Sequence, residues 1–366
     1  MSKRIIISVT NDLGNDQRVH RVATSLMDLG FEVCLIGRKR KASKRLAKRA
    51  YTTKRISFLF ETGKLFYLEY AFRVFWWLLF QKVDVFWAND MDTLLPNFLA
   101  AKLRGKKLVY DSHEYWTEVP ELIQRPKSRS IWLWLEQKLF PKVDQAITVN
   151  KSIADIYQEK YKIPVAILRN LPVSLESVSN PAPNENVIIY QGALNMGRGI
   201  DLMIDAMEFL PEYKLWIAGY GSIESELRAQ ANKTEWKARI QFKGFLEPQK
   251  LKALTSKAKI GLSLEEDMGA SYHFALPNKL FDYIQAGIPV LVSDLPEMKA
   301  IVSEYGVGEI LENKDRTAEA LAHRIRKLCE EAEQYEQYST SCLAAAKVLN
   351  WEQEKDVLKK ISEKLH

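Results

Sequence analysis

The feature that most limits the fold is an alternation of short apolar runs with segments of helical period, begun at Ile5 and begun again at Val187. In the first series Ile5–Val9, Phe31–Ile36, Val83–Ala88, Lys107–Tyr110, Gln145–Val149 and Val165–Leu168 read as strands. Between the first two, Val19, Val22, Ala23, Leu26 and Leu29 recur at helical spacing and Gly30 ends the helix. A strand, a helix and a second strand within this length is the unit of a parallel sheet. The second series runs Val187–Tyr190, Lys214–Ala218, Ile240–Phe242, Ile260–Leu264 and Pro289–Val292. Residues 173–186, polar and proline-containing, separate the two as a linker. At 366 residues the chain exceeds one ordinary core. The expected architecture is therefore α/β, with two Rossmann-like, doubly wound parallel-sheet domains at 1–172 and 187–350. A closing helix in 351–366 is expected to pack back on the first.

Composition narrows the function. With 47% hydrophobic and 27% charged residues the chain is globular. Cys34, Cys329 and Cys342 show no C-x-x-C spacing, so neither a disulfide framework nor a zinc site is indicated, and a reducing, cytoplasmic setting fits. The opening Met1–Val9 reads as a strand and not as a secretory leader. The net charge of +7 is unevenly placed: residues 1–170 carry 30 Lys and Arg against 17 Asp and Glu, the remainder 23 against 29. A basic first half suits a polyanion or an anionic membrane surface, or is a drift of surface charge without meaning. Within it, eight of the twelve residues 38–49 are cationic. Leu65–Phe80 follows, rich in aromatics, with Glu69 and Arg73 inside it; it is too short and charged to span a bilayer. It reads either as a core helix or, with the basic run, as a surface anchor covering 38–80.

Four loops carry candidate chemistry. Pro277 suits the first turn of a helix running Lys279 to Ala286, ended by Gly287 and Pro289. A helix N-terminus favours anions, so Lys279 and Asp282 at its mouth suit a ligand with both phosphate and hydroxyls; the bland alternative is two surface charges. Gly192–Gly199 is glycine-rich, and Gly14 lies in the loop after the first strand, where a backbone without Cβ approaches a ligand closely. His113, beside Glu114 and Glu118, follows a strand at the end that faces the ligand crevice of open sheets, as a site or as a polar network. No complete G-x-G-x-x-G occurs after the first strand or at Gly219-Tyr-Gly221, so a dinucleotide cofactor is not indicated. Asp90-Met-Asp92 has the spacing of metal-dependent transferases but reads as a chance match in the first domain.

Gln191–Ile200, Gly219–Gly221, Leu276–Pro289, Tyr110–Glu114 and the Gly14 loop occur together in an order that resembles the family-4 retaining glycosyltransferases of the GT-B fold, over essentially the whole chain. The resemblance implies two domains facing a central cleft, a nucleotide-sugar donor (UDP- or GDP-sugar) on the second domain, and no metal or other cofactor. It places donor contacts at Gly14, Gly192, Arg198, Gly219, Phe274, Asn278, Lys279 and Asp282, with His113, Arg198 and Lys279 as the catalytic set. Two departures stand out: Ala193 replaces an expected Arg, and Phe274 replaces the first of two glutamates. Glu265, Glu266 and His273 are the candidates for the lost sugar contact. The implied acceptor is a glycan or lipid-linked glycan in cell-surface polysaccharide or glycoconjugate synthesis, and no nucleic-acid partner is expected. A sugar-nucleotide epimerase and a non-catalytic nucleotide-sugar or glycan-binding module are the competing readings.

Overall fold

A computed structural model describes residues 2–14, 16–174 and 186–365. Of the expected linker 173–186, all but 173, 174 and 186 lies outside the described residues. The chain divides into two units, residues 1–170 with 354–366, and residues 171–353.

The first unit holds seven parallel strands: β1 Arg4–Asp12, β2 Glu32–Lys39, β3 Thr52–Ser57, β4 Val85–Asn89, β5 Lys107–Ser112, β6 Gln145–Thr148 and β7 Val165–Ile167. Their order is β3-β2-β1-β4-β5-β6-β7, with Ile6 opposite Cys34 on one side and Phe86 on the other. Helices cover both faces of such a sheet, which is why Ile5, Ile6 and Ile7 are all fully buried and β1 reads as an unbroken apolar run. The order reverses between β1 and β4, and ligands of doubly wound sheets bind outside the strand carboxyl ends at that point. Helix α1, Gln17–Asp28, leaves β1 with Asp16 as its cap, accepting from the Val19 N–H at 3.0 Å.

Helix α2, Gly63–Leu79, covers most of the aromatic stretch and is buried along one side. Phe66, Tyr70, Val74 and Leu78, four apart, are buried, and α2 packs on α3, Met91–Arg104. Leu65, Leu68, Phe72, Trp76 and Phe80 line its other side at 45–75% exposure. The basic run after Lys39 is irregular and mostly exposed. Among the described residues no helix is long and apolar enough to cross a membrane.

The second unit holds six parallel strands: β8 Val187–Gln191, β9 Lys214–Ala218, β10 Ile240–Gly244, β11 Ile260–Ser263, β12 Val290–Ser293 and β13 Gly308–Leu311, in the order β10-β9-β8-β11-β12-β13. Ile188 and Tyr190 enter one apolar cluster, Val187 and Ile189 the other, the period-two pattern of a sheet buried on both faces. Here the order reverses between β8 and β11. The last helix, Asp356–Leu365, belongs to the first unit and touches α1. Lys3 Nζ donates to the Leu365 carbonyl at 3.0 Å, and Arg169 donates from Nη2 to Glu354 Oε2 at 2.7 Å.

Candidate functional site

In the first unit, the carboxyl ends of β1, β4 and β5 converge on a charged cluster. Asp111, at the end of β5, is fully buried, and Arg18 of α1 reaches it at 2.6 Å while donating to the Leu168 carbonyl at 2.8 Å. Burial would raise the Asp111 pKa, but Arg18 and His113 outweigh it and hold the carboxyl ionised, well below its ordinary range. His113 sits between two carboxylates, Nδ1 3.2 Å from Asp90 Oδ2 and Nε2 3.5 Å from Asp111 Oδ2. Burial lowers its pKa; Asp90 and Asp111 raise it further, to about 10, so the ring is an imidazolium at neutral pH.

Asp90 is the strained hinge of this cluster, a non-glycine residue at φ 59°. Its N–H donates to the Asp111 carbonyl at 2.9 Å, and its Oδ1 accepts from the His113 N–H at 2.9 Å. Asp92, 8% exposed, accepts from Thr10 Oγ1 at 2.6 Å and leaves its other oxygen unpartnered. Burial, then the Asp90 charge, push its pKa up to about 8. The turn after β4 delivers both carboxylates of Asp90-Met-Asp92 beside His113. Among the described residues no cluster of three or more metal-ligating side chains occurs.

Gly14 is exposed, and its N–H donates to Asp12 Oδ1 at 3.3 Å. Its φ lies outside the left-handed region, and an added Cβ would come no nearer than 3.9 Å to Asp12 Oδ1. Nothing among the described residues requires glycine there.

In the second unit the carboxyl ends of β8 and β11 bring together Gly192, Arg198, Glu265 and Lys279. Glu265 is fully buried two residues after β11. Its Oε1 accepts from Lys279 and stands 3.4 Å from Arg198 Nη1; its Oε2 accepts from Ser263 Oγ at 2.7 Å. Burial would raise the Glu265 pKa, but the two cations hold it below its ordinary range. Lys279 is 7% exposed, so the alternative of a solvated surface lysine is overturned. Burial lowers its pKa, and Glu265 offsets only part of this. Its ammonium also lies 4.5 Å from the Tyr190 ring centre, and Arg198 lies 4.8 Å from that of Tyr272. Of the three charged side chains, Arg198, 23% exposed, is the one that reaches the surface.

The glycines here answer to packing. A Cβ on Gly219, at φ 143°, would stand 1.8 Å from the Gly192 carbonyl oxygen, and one on Gly192 would stand 3.2 Å from the Lys279 stem. The helix Asn278–Gln285 starts with an exposed Asn278 after Pro277, and Asp282 accepts from Gln191 Nε2 at 2.8 Å. Gln191 is itself held by Thr255, at 2.6 Å. The other candidates lie along the loop after β11: the Glu266 N–H donates to Gly197, His273 pairs with Asp267 at 2.8 Å, and Phe274 caps Ala270–His273 edge-on to the His273 ring. Arg316, which the sequence did not single out, ties this loop to β12 by donating to the Leu264 carbonyl at 3.1 Å and to Ser293 Oγ at 2.8 Å. A buried carboxylate under two cations, at a switch point and beside a helix N-terminus, leaves a net positive mouth for an anion.

Comparisons with known proteins bear on the family and the fold. A profile described as "Glycosyl transferases group 1" matches residues 175–341, and one described as "Glycosyltransferase Family 4" matches residues 14–170. No curated protein matches by sequence. Among solved structures, sucrose-phosphate synthase from Thermosynechococcus elongatus superposes with a TM-score of 0.77 at 16% identity, over 99% of both chains. Anabaena Alr3699/HepE in complex with UDP-glucose gives 0.73 at 14% identity, over 98% of this chain and 99% of the other. WaaG, a glycosyltransferase involved in lipopolysaccharide biosynthesis, gives 0.73 at 16% identity over 98% of both. The fold is GT-B.

Proposed function

The chain belongs to the group 1 glycosyltransferases, with a family-4 first half, and we propose that it moves a sugar from a nucleotide-diphosphate donor to a glycan or lipid-linked acceptor, retaining the anomeric configuration and using no metal ion. The observation that carries this reading is the Arg198–Glu265–Lys279 cluster at the strand ends of the second unit. As the glycosidic bond breaks, negative charge develops on the leaving diphosphate, and preorganised cations and N–H groups stabilise it there without rearranging. Arg198 meets the phosphates directly. Lys279 contributes its charge from below, and Glu265 fixes both cations in place. Asp282, anchored through Gln191, accepts from a ribose hydroxyl. His113, with its two ring nitrogens facing Asp90 and Asp111, contributes positive charge toward the transferred sugar.

The neighbour solved with UDP-glucose makes UDP the first base to try. A thermal-shift panel of UDP-, GDP-, ADP- and TDP-sugars in the presence of a chelator tests the proposal. A ligand that binds only the native state at a hundred times its Kd adds about 2.7 kcal/mol, so one base should raise the Tm clearly. No shift from any member, or a shift that needs added divalent metal, overturns the metal-independent donor site.

The outer side of α2 and the basic run support peripheral attachment to the anionic, cytoplasmic side of a membrane in polysaccharide or glycoconjugate synthesis. Ile131 and Trp134, with Leu99 and Leu103 of α3, are further exposed apolar residues of the first unit. Such a combination binds anionic lipid by area and charge together. Flotation with anionic liposomes at low salt should carry the protein upward, and neutralising the cations of 38–49 should release it. No flotation at low salt refutes the attachment.

A further inference from the structure

Gln191, the last residue of β8, is 3% exposed and is held to the helix Asn278–Gln285 at two points. Its backbone N–H donates to the Tyr283 hydroxyl at 3.0 Å, and its side-chain Nε2 donates to Asp282 Oδ2 at 2.8 Å. Its Oε1 accepts from Thr255 Oγ1 at 2.6 Å. Thr255 ends the helix Pro248–Thr255 and is 2% exposed. On the same face of β8, Val187 and Ile189 are fully buried in an apolar cluster with Leu280. An apolar side chain would serve that core as well, and a buried amide costs stability unless both its ends are partnered.

The relay runs in one direction. A carboxylate only accepts, so the amide turns its NH2 toward Asp282 and its oxygen toward Thr255. The Thr255 hydroxyl donates its single proton to that oxygen, in competition with the Leu251 carbonyl 2.8 Å away. Of the three residues, Asp282 is the one that reaches the surface; from Lys279 to Gln285 it alone is not buried. Asn278, exposed, stands one turn earlier on the same face, at the mouth of the helix. Because Gln191 is neutral, it orients the Asp282 carboxylate without cancelling its charge, and hydrogen bonds to a charged acceptor are the strong ones.

We propose that Thr255 and Gln191 are positioning residues for the donor: they hold the Asp282 carboxylate in one orientation toward the ribose hydroxyls, which makes the donor a ribonucleoside diphosphate sugar and disfavours 2′-deoxy donors such as thymidine diphosphate sugars. The proposal rests on the reading of Asp282 as the ribose contact of a glycosyltransferase. A carboxylate fixed before the ligand arrives loses no rotamer freedom on binding, so it draws full advantage from each hydroxyl. Removing a hydroxyl from a charged partner weakens a ligand roughly 10- to 100-fold.

Calorimetric titrations of the full chain with UDP, GDP and ADP, with their 2′-deoxy counterparts and with inorganic pyrophosphate, test it. The ribonucleotide that wild type binds should bind at least about tenfold more tightly than its deoxy counterpart. Gln191→Leu and Thr255→Val should bring that ratio toward one and leave pyrophosphate affinity unchanged, since neither residue faces the phosphates in this account. Thr255→Ser, which keeps the hydroxyl, should restore the ratio; a role in packing alone would be rescued by Val and not by Ser. If Gln191→Leu does not fold, Thr255→Val and Thr255→Ser decide the matter. A ratio near one in wild type, an unaltered ratio in Gln191→Leu and Thr255→Val, or a loss of pyrophosphate affinity as large as the loss of nucleotide affinity overturns the proposal. Nucleotides bound without preference for ribose leave the donor site standing and sink the relay alone. No binding of any nucleoside diphosphate by wild type sinks the donor site, and the relay with it.

Discussion

Glu265→Gln is the most informative single change, because it keeps the shape of the side chain and removes only its charge. In the native chain Lys279 is 7% exposed and its ammonium has Glu265 as its carboxylate partner. Arg198, at 23% side-chain exposure, turns toward water when the carboxylate is lost; Lys279 has no such route. Removing one member of a buried ion pair costs about 3–5 kcal/mol. The loss has a ceiling, since Lys279 can shed its proton: from an ordinary value of 10.5, deprotonation at pH 7 costs about 5 kcal/mol. Both routes give the same range. For a unit of this size each kcal/mol moves the Tm by roughly 2–4 °C, so a fall of roughly 6–20 °C is expected. The pH dependence identifies the cause. In the variant the folded-state pKa of Lys279 lies below the unfolded value, so the unfolded state binds more protons and stability rises with pH, by up to about 1.4 kcal/mol per unit. Urea unfolding of wild type and variant from pH 6 to 9 should show the deficit closing as pH rises. A loss below about 1 kcal/mol, or a deficit that does not change with pH, refutes the argument. A bound nucleoside diphosphate supplies the missing negative charge and should protect the variant more than the wild type.

His113 carries a second pH signature. Its folded pKa, about 10, lies above its unfolded value of 6.5, so its contribution is full below pH 6.5 and is lost as pH rises toward 10. Thermal unfolding of wild type should therefore weaken more steeply between pH 6.5 and 10 than that of His113→Gln, by a few kcal/mol in all; parallel curves contradict the two-carboxylate cage. Two glycines should separate packing from ligand contact. Gly219→Ala meets the Gly192 carbonyl at 1.8 Å and should lower stability by more than about 3 kcal/mol in urea unfolding. Gly14→Ala should leave stability within about 0.5 kcal/mol while reducing turnover, and a stability loss as large as that of Gly219→Ala contradicts the assignment.

Most strands were legible because strands buried on both faces read as unbroken apolar runs, Val85–Asn89 and Val187–Gln191 among them. β3 was not, since Thr-Thr-Lys-Arg-Ile-Ser is the polar sequence of a strand paired on one side only, and β13 is likewise an edge strand of four residues. Leu65–Phe80 offered two readings because the helix is apolar on both sides, and periodicity cannot say which side has a partner. At the site, the helix mouth at Lys279 was visible from Pro277 and Gly287. Its pairing with Glu265, fourteen residues earlier, was not, because a loop and a short helix intervene. Asp90 and Asp92 read as a chance match because they lie in the first domain; their place beside His113 depends on a left-handed backbone at Asp90 and on contacts to Thr10 and His113, which no spacing reveals.

Calorimetric titration of the preferred nucleoside diphosphate into wild type, Arg198→Ala and His113→Ala tests the donor site most directly. Arg198→Ala should bind about 10- to 100-fold more weakly, as expected for hydrogen bonds to a charged group, while His113→Ala keeps near-native affinity and loses turnover. Equal affinity in wild type and Arg198→Ala contradicts the account.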